Sequence, residues 1–191
     1  MRAGRVGPSG AGESELRAVV RGSAGLTVLT GGQTGVDTYA AAAALQAGLP
    51  VHLVFPRGLR QEDGRLTVAR RRQVTGAAVH ELRSASFRYR TWTCAYLADA
   101  VLLLDPAGGA GCRETARAAA ALGRPLLEPA PGEADAVQVE VWLAANHTRV
   151  LMIAGCRASQ LASKEAGRGV RADVAAVVAG AAAWRGRLLG G

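Results

Sequence analysis

Five short apolar runs, separated by segments with helical patterns, constrain the fold of this chain most strongly. The runs are LTVLT (26–30), VHLVF (51–55), AVLLLD (100–105), PLLE (125–128) and RVLMIAG (149–155). Short runs that are apolar throughout are typical of parallel strands covered on both faces. Their alternation with helices predicts an α/β fold, a Rossmann-like open parallel sheet with helices on both faces.

Helical patterns fill the intervals between these runs. We expect helices over 37–47, 90–98, 114–122, 134–145 and 172–184. Two of them end alike, in Gly48-Leu49-Pro50 and Gly123-Arg124-Pro125, a glycine and proline signal for a helix end.

We assign residues 25–191 to a single ligand-binding domain. Residues 1–24 form a flexible N-terminal segment in this reading, with a short amphipathic helix around 13–20 and disorder over 1–12. The polar, arginine-rich stretch 57–88 is expected to be an excursion over the site.

The composition argues against several classes of function. The 191 residues carry a formal net charge of +8, but Lys164 is the only lysine and no basic run is longer than Arg70-Arg71-Arg72. With few aromatic residues to stack on bases, this charge does not favour nucleic-acid binding. No run approaches the ~18 apolar residues of a membrane span and no signal peptide is visible, so we expect a cytoplasmic protein without membrane contact.

The loop TGGQTG (30–35) has the composition of an anion site. Gly31 and Gly32 leave no Cβ between the main chain and a ligand, and the amides that begin the next helix point toward an anion. Gln33 and Thr34 add donors that a tight strand-to-helix turn does not need, although such a turn needs glycine anyway. The spacing fits neither the Walker phosphate loop nor the dinucleotide-binding fingerprint, so ATP hydrolysis and dinucleotide binding are not predicted.

Two further loops at strand ends repeat this pattern. GGAG (108–111) leads into a helix that starts near 112–115, after a strand that we expect to neighbour the first. After the last apolar run, Arg157 and Ser159 are placed to close a pocket. Because ligands of open parallel sheets bind at the carboxyl ends of the strands, the three loops predict one shared phosphate site.

Several of these motifs occur together in a known family. They are GGQTGVD (31–37), PRGLRQEDG (56–64), FRYRT (87–91), ADAVLLL (98–104), GGAGCRET (108–115) and AGCRAS (154–159). In this order they resemble the molybdenum cofactor carrier family, which belongs with the LOG phosphoribohydrolases among the Rossmann-like domains. The likeness covers roughly residues 25–180.

The resemblance implies a homo-oligomeric protein that holds a phosphorylated pterin, with the molybdenum cofactor as its cargo and no chemistry of its own. It also places 31–34 in a first binding loop and Gly109, Gly111 and Thr115 in a second. Arg57, Glu62 and Asp63 then lie on the segment that crosses the mouth, and 90–91 begin the helix that leads to the third strand. Together with residues taken from the loops themselves, the candidate ligand-binding residues are Gly31, Gly32, Gln33, Thr34, Arg57, Glu62, Asp63, Arg90, Thr91, Gly108, Gly109, Gly111, Cys112, Thr115 and Arg157. We predict no metal site.

The three cysteines depart from the family pattern. Cys94, Cys112 and Cys156 stand where the family usually has other residues. A small, buried residue explains each of them simply, and a soft-ligand or redox site is the alternative.

Two other functions remain open. A LOG-type enzyme that cleaves base from sugar in a nucleoside monophosphate needs a glutamate in the second loop. Glu114 is one residue from the required position, a rotation of ~100° on a helix, and Glu62 is the other candidate. A nucleotide-sensing domain is the third hypothesis.

Overall fold

Parallel strands form the centre of the fold. The computed structural model describes residues 11–105, 108–161 and 164–190. Disorder was expected over 1–12, of which 1–10 lie outside the described residues. The expectation is wrong for 11 and 12, because the first helix already begins at Ala11. The strands are β1 (Thr27–Thr30), β2 (Val51–Phe55), β3 (Arg60–Gln61), β4 (Gly64–Arg65), β5 (Ala78–Glu81), β6 (Ala100–Leu104), β7 (Leu126–Leu127) and β8 (Val150–Gly155). β3 and β4 pair as an antiparallel hairpin, and the others build one parallel sheet in the order β5-β2-β1-β8-β6-β7. The predicted Rossmann-like sheet is confirmed.

Helices connect the strands and cover both faces of this sheet. They are α1 (Ala11–Arg21), α2 (Val36–Gln46), α3 (Val68–Gln73), α4 (Phe87–Leu97), α5 (Ala110–Ala121), α6 (Ala136–Ala145) and α7 (Lys164–Gly190), with a 3-10 turn at Ala158–Gln160. Gly48 and Gly123 follow α2 and α5 with φ of 71° and 63°, the left-handed conformation expected at these helix ends. α5 begins at Ala110, earlier than the sequence pattern suggested, so its amino end directly adjoins the glycine-rich loop.

Alternating side chains of the strands pack against two separate helix layers. Val28 and Leu102 lie in one cluster with α2, α6 and α7, whereas their neighbours Leu29 and Leu103 lie in another with α1, α4 and α5. Every residue of β1, β2 and β6 is buried. Two-sided burial explains why these strands are uniformly apolar in sequence.

Two details of the sequence interpretation are wrong. The stretch 57–88 is more than an excursion, because it contains β5, which pairs with β2 at the sheet edge. β5 is exposed or half-buried, so AVHE has no continuous apolar run to mark it. In addition, the strand before GGAG does not neighbour β1, since β8 lies between β1 and β6.

Candidate functional site

The loops that follow β1, β6 and β8 lie at the same edge of the sheet, as predicted, because all three strands are parallel. The β1 and β8 loops are in direct contact. The Ala158 N–H donates to Thr34 Oγ1 at 3.3 Å, and the Val36 N–H donates to Cys156 O at 3.1 Å. The β8 loop therefore fills the gap between the two glycine-rich loops.

Glycine is required in the β1 loop because other groups occupy the space of a Cβ. A Cβ on Gly31 would lie 1.1 Å from Arg90 Nη1. A Cβ on Gly35 would lie 2.5 Å from Cys156 O and 2.6 Å from Ala158 N, and Gly35 has a φ of 80°. These glycines thus make room for a guanidinium and for the β8 loop.

A buried ion pair lies beneath the β1 loop. Arg90 Nη1 is 3.4 Å from Asp37 Oδ2, and the two residues are only 6% and 5% exposed. The same carboxylate oxygen accepts a hydrogen bond from the Gln33 N–H at 3.0 Å. Burial raises the pKa of Asp37, while Arg90 and the Gln33 N–H oppose that rise. The ion pair fixes the Arg90 guanidinium against the main chain of Gly31 in the β1 loop.

The Gln33 side chain has one satisfied end and one unsatisfied end. Its Oε1 accepts from the Glu62 N–H at 2.9 Å, whereas Nε2 is buried and has no hydrogen-bond partner among the described residues. Arg90 Nε is likewise buried without a partner within the described part of the chain. Buried donors of this kind are rare and call for an explanation such as a ligand or an ordered water.

A cleft of about 250 Å³ opens beside these donors, between the amino ends of α4 and α5. We call it the α4–α5 cleft. Its lining residues are Gln33, Asp37, Phe87, Arg88, Arg90, Thr91, Ala110, Gly111, Glu114, Thr115, Met152, Ala154, Gly155 and Arg157. The amino end of α5 forms one wall. α4 contributes Arg88 and Arg90, β8 contributes Met152, Ala154 and Gly155, and Arg157 comes from the loop after β8.

A second cavity, of about 490 Å³, is lined by the other part of the β1 loop. Its lining residues are Thr34, Gly35, Thr38, Tyr39, Glu62, Asp63, Arg70, Gln73, Ala158 and Ser159. Here the Thr34 hydroxyl donates to Glu62 Oε1, and the Ser159 hydroxyl donates to Glu62 Oε2 at 2.6 Å. Asp63 makes a two-point ion pair with Arg70. The carboxylates of this cavity are therefore engaged by the protein itself.

The structure divides the predicted ligand-binding residues into three groups. Those that line the α4–α5 cleft are Gln33, Arg90, Thr91, Gly111, Thr115 and Arg157. Those that line the second cavity are Thr34, Glu62 and Asp63. Those that line neither of these two cavities are Gly31, Gly32, Arg57, Gly108, Gly109 and Cys112.

Sequence reasoning missed Phe87, Arg88 and Met152 as lining residues of the cleft. The signal for Phe87 was present, because Phe87 and Thr91 are four residues apart and so share a face of α4. Met152 gave no such signal, since it is one apolar residue within a buried strand.

Glu114 lines the cleft but is held by other side chains. Its Oε1 accepts from Trp92 Nε1 at 2.6 Å and from Arg88 Nε at 2.8 Å, and its Oε2 accepts from Arg117 Nη1 at 2.8 Å. The Trp92 hydrogen bond, followed by Arg88, lowers the pKa of Glu114. The carboxyl group is thus stabilised in its ionised form.

The cysteines are buried and free. Burial raises the pKa of Cys94 to about 12 and that of Cys156 to about 11, and burial together with Asp105 raises the pKa of Cys112. Thiols of this kind stay protonated, whereas metal binding requires thiolates. Within residues 11–105, 108–161 and 164–190, no group of three or more His, Cys, Asp or Glu side chains is arranged to hold a metal ion.

Comparison with known proteins places this chain in a family. The profile of the circularly permutated YpsA SLOG family matches residues 28–174, which is well over half of the chain. The chain belongs to this family. The likeness to LOG-type Rossmann domains inferred from the motifs is confirmed.

A solved structure shows the same fold. The crystal structure of a "Putative molybdenum carrier protein" from Syntrophus aciditrophicus aligns with a TM-score of 0.66 and 23% sequence identity, over 81% of this SLOG-family chain and 96% of the other. No curated protein matches the chain. None of the helices in the described residues is long and apolar enough to span a membrane.

Proposed function

We propose that this SLOG-family protein binds a phosphorylated, ring-containing small molecule in the α4–α5 cleft and does not transform it. The observation that carries this proposal is the Gln33 carboxamide, whose Nε2 is buried at the cleft without a partner in the described part of the protein. A buried, unsatisfied donor costs about 1–3 kcal/mol. An acceptor atom on a bound ligand would remove that cost.

The surroundings of Gln33 suit a phosphate group. Gly109 caps α5 without any side-chain hydrogen bond from the described residues, so the first amide N–H groups of that helix are left to donate to an anion. Arg88, Arg90 and Arg157 line the same cleft. Asp37 and Glu114 line it too, so the arginines exceed the carboxyl groups by one. Together they support binding of a phosphate at the amino end of α5.

The rest of the cleft suits a planar ring. Phe87 lines the cleft, and the Arg157 guanidinium lies 5.8 Å from the centre of its ring. The volume of about 250 Å³ is below the ~300–1,000 Å³ of typical drug-sized pockets, which favours a ligand the size of a mononucleotide over a dinucleotide.

Two cargo classes match this chemistry, a nucleoside monophosphate and a phosphorylated pterin such as the organic part of the molybdenum cofactor. The Syntrophus protein of the same fold bears the name "Putative molybdenum carrier protein", which supports the pterin class. The lining of the cleft offers nitrogen donors and no thiolate, so it fits the phosphate and ring of such a cargo and not a direct bond to molybdenum.

Hydrolysis of a nucleoside monophosphate is the second candidate, because Glu114 lines the cleft. Its three donors, Trp92, Arg88 and Arg117, already use both carboxylate oxygens. We therefore propose that Glu114 orients α4 against α5 and that the protein is a carrier or sensor.

Binding and turnover can be tested together. Titration calorimetry with AMP, CMP and a pterin phosphate should detect binding to the wild-type protein, and Gln33→Leu should weaken it at least ~10-fold, the loss of about one charge-assisted hydrogen bond. Gln73→Leu, which changes the second cavity instead, is the matched control and should bind as the wild type does. Absence of binding for all three compounds would refute the proposal.

The same samples should be examined for products by chromatography. Free adenine or cytosine that accumulates with the wild type and not with Glu114→Gln would establish hydrolysis and overturn the carrier reading. Mass spectrometry of small molecules released from purified protein distinguishes the two cargo classes.

A further inference from the structure

The hairpin of β3 and β4 (60–65) is attached to three consecutive residues of the β1 loop. Gln61 Nε2 donates to Gly32 O at 2.8 Å, the Glu62 N–H donates to Gln33 Oε1 at 2.9 Å, and the Thr34 hydroxyl donates to the Glu62 carboxylate. Through these hydrogen bonds the hairpin restrains the conformation of residues 32–34 of the β1 loop.

The Glu62 main chain settles which way the Gln33 carboxamide faces. A main-chain N–H can only donate, so the Gln33 atom that it meets must be the oxygen. The NH2 group is then the end of Gln33 that the hairpin does not hold. This nitrogen is buried without a partner among the described residues, and Gln33 is one of the residues that line the cleft. Without the Glu62 N–H, a rotation of the amide would present oxygen to an anionic ligand.

The Glu62 side chain holds that main-chain group in place. Its carboxylate accepts from the Thr34 and Ser159 hydroxyls, and Arg157 Nη1 lies 4.0 Å from Oε2. The side chain is only 12% exposed. It thus joins the hairpin to both the β1 loop and the β8 loop, on the side of the β1 loop away from the cleft lining.

From these contacts we propose that Glu62 is a positioning residue for ligand recognition. Its carboxylate ties the hairpin to the β1 and β8 loops by hydrogen bonds, a connection that we call the Glu62 latch. Its main-chain N–H then keeps the Gln33 NH2 group directed at the ligand. The site then selects ligands that place a hydrogen-bond acceptor, such as a phosphate oxygen, at Gln33. This inference rests on the proposed function of the cleft.

Coupling between two substitutions tests the proposal. Glu62→Ala should weaken AMP binding at least ~10-fold in the wild-type background and less than ~3-fold in the Gln33→Leu background, because the effect acts through Gln33. Glu62→Gln keeps one acceptor oxygen and should give an intermediate affinity. Glu133→Ala, an exposed glutamate before α6, is the control and should leave affinity unchanged. Equal effects of Glu62→Ala in both backgrounds would overturn the proposal.

A readout without ligand separates this inference from the proposed function. In Glu62→Ala the Gln33 side-chain NH2 signal should shift and broaden in nitrogen-edited NMR spectra, and trypsin should cleave after Arg60 or Arg65 at least ~10-fold faster. If the wild-type protein does not bind AMP but these two changes occur, the role of Glu62 in holding Gln33 is supported and AMP is excluded as the ligand. If neither change occurs, the latch is refuted whatever the protein binds.

Discussion

Acid should destabilise the protein through the His52 and His80 pair. These side chains lie on β2 and β5, stack with ring centres 5.1 Å apart, and share a hydrogen bond of 2.9 Å between Nδ1 of His52 and Nε2 of His80. Burial, followed by the charge of His80, lowers the pKa of His52 from 6.5 to about 4, and burial lowers the pKa of His80. In the folded protein both rings therefore resist protonation.

The sign and size of the effect follow from linkage. As pH falls below 6.5, the unfolded chain takes up a proton on His52, whereas the folded protein does so only near pH 4. The contribution is fully present above pH 6.5 and is lost as pH falls through this window. At about 1.36 kcal/mol per pKa unit, the loss for His52 alone approaches ~3 kcal/mol at low pH and is about 2 kcal/mol at pH 5.

Urea unfolding followed by tryptophan fluorescence at pH 7.5 and pH 5 measures this loss. The fall in the free energy of unfolding should be about 2 kcal/mol larger for the wild type than for His52→Gln. His147→Gln, which changes an exposed histidine, controls for the other groups that titrate and should behave as the wild type. The same fall in His52→Gln and in the wild type would refute the reasoning.

Three further outcomes are expected. Gly35→Ala should lower the free energy of unfolding by about 3 kcal/mol, because its Cβ would collide with backbone atoms and its φ is 80°. Gly48→Ala is the control and should cost only about 1 kcal/mol, because Gly48 has a similar φ of 71° but open space around it. Comparable losses of thermal stability in the two variants would contradict the predicted collision. Ellman's reagent should label Cys94, Cys112 and Cys156 only after denaturation, since all three thiols are buried, and rapid labelling of the native protein would show that a loop opens. The homo-oligomer implied by the family resemblance stays a prediction, and a sedimentation coefficient that corresponds to a monomer at micromolar concentration would exclude it.

The fold could be predicted from sequence wherever burial on both faces left an unbroken apolar run. β1, β2, β6 and β8 were found for this reason. β5 was not, because His80 and Glu81 interrupt its sequence AVHE, whereas the half-buried edge strand β7 was found from the apolar PLLE. The position of β8 between β1 and β6 could not be predicted either, since local patterns do not encode the order of strands in a parallel sheet.

The sequence predicted which loops would come together, but it did not predict which side chains would contact one another. The prediction that the three loops share one edge of the sheet is confirmed, because parallel strands place their following loops on one side. The partners of these loop residues were not visible in sequence. Arg90 pairs with Asp37 across 53 positions and Thr34 with Glu62 across 28, and no local pattern connects residues so far apart. Only the folded chain shows that Gln33 and Thr34, adjacent in sequence, line different cavities.

The central place of β8 determines when the site can form during synthesis. β8 is the last strand of the sheet in sequence, yet it separates β1 from β6, and the bond from Ala158 to Thr34 spans 124 positions. A nascent chain that has emerged only as far as α6 contains both glycine-rich loops but lacks the strand that holds them apart. Such long-range closure is slow and comes late in folding. On the ribosome the cleft is therefore completed only after β8 and the 3-10 turn that follows it have been released, so a chain cut short before residue 150 would not form the α4–α5 cleft.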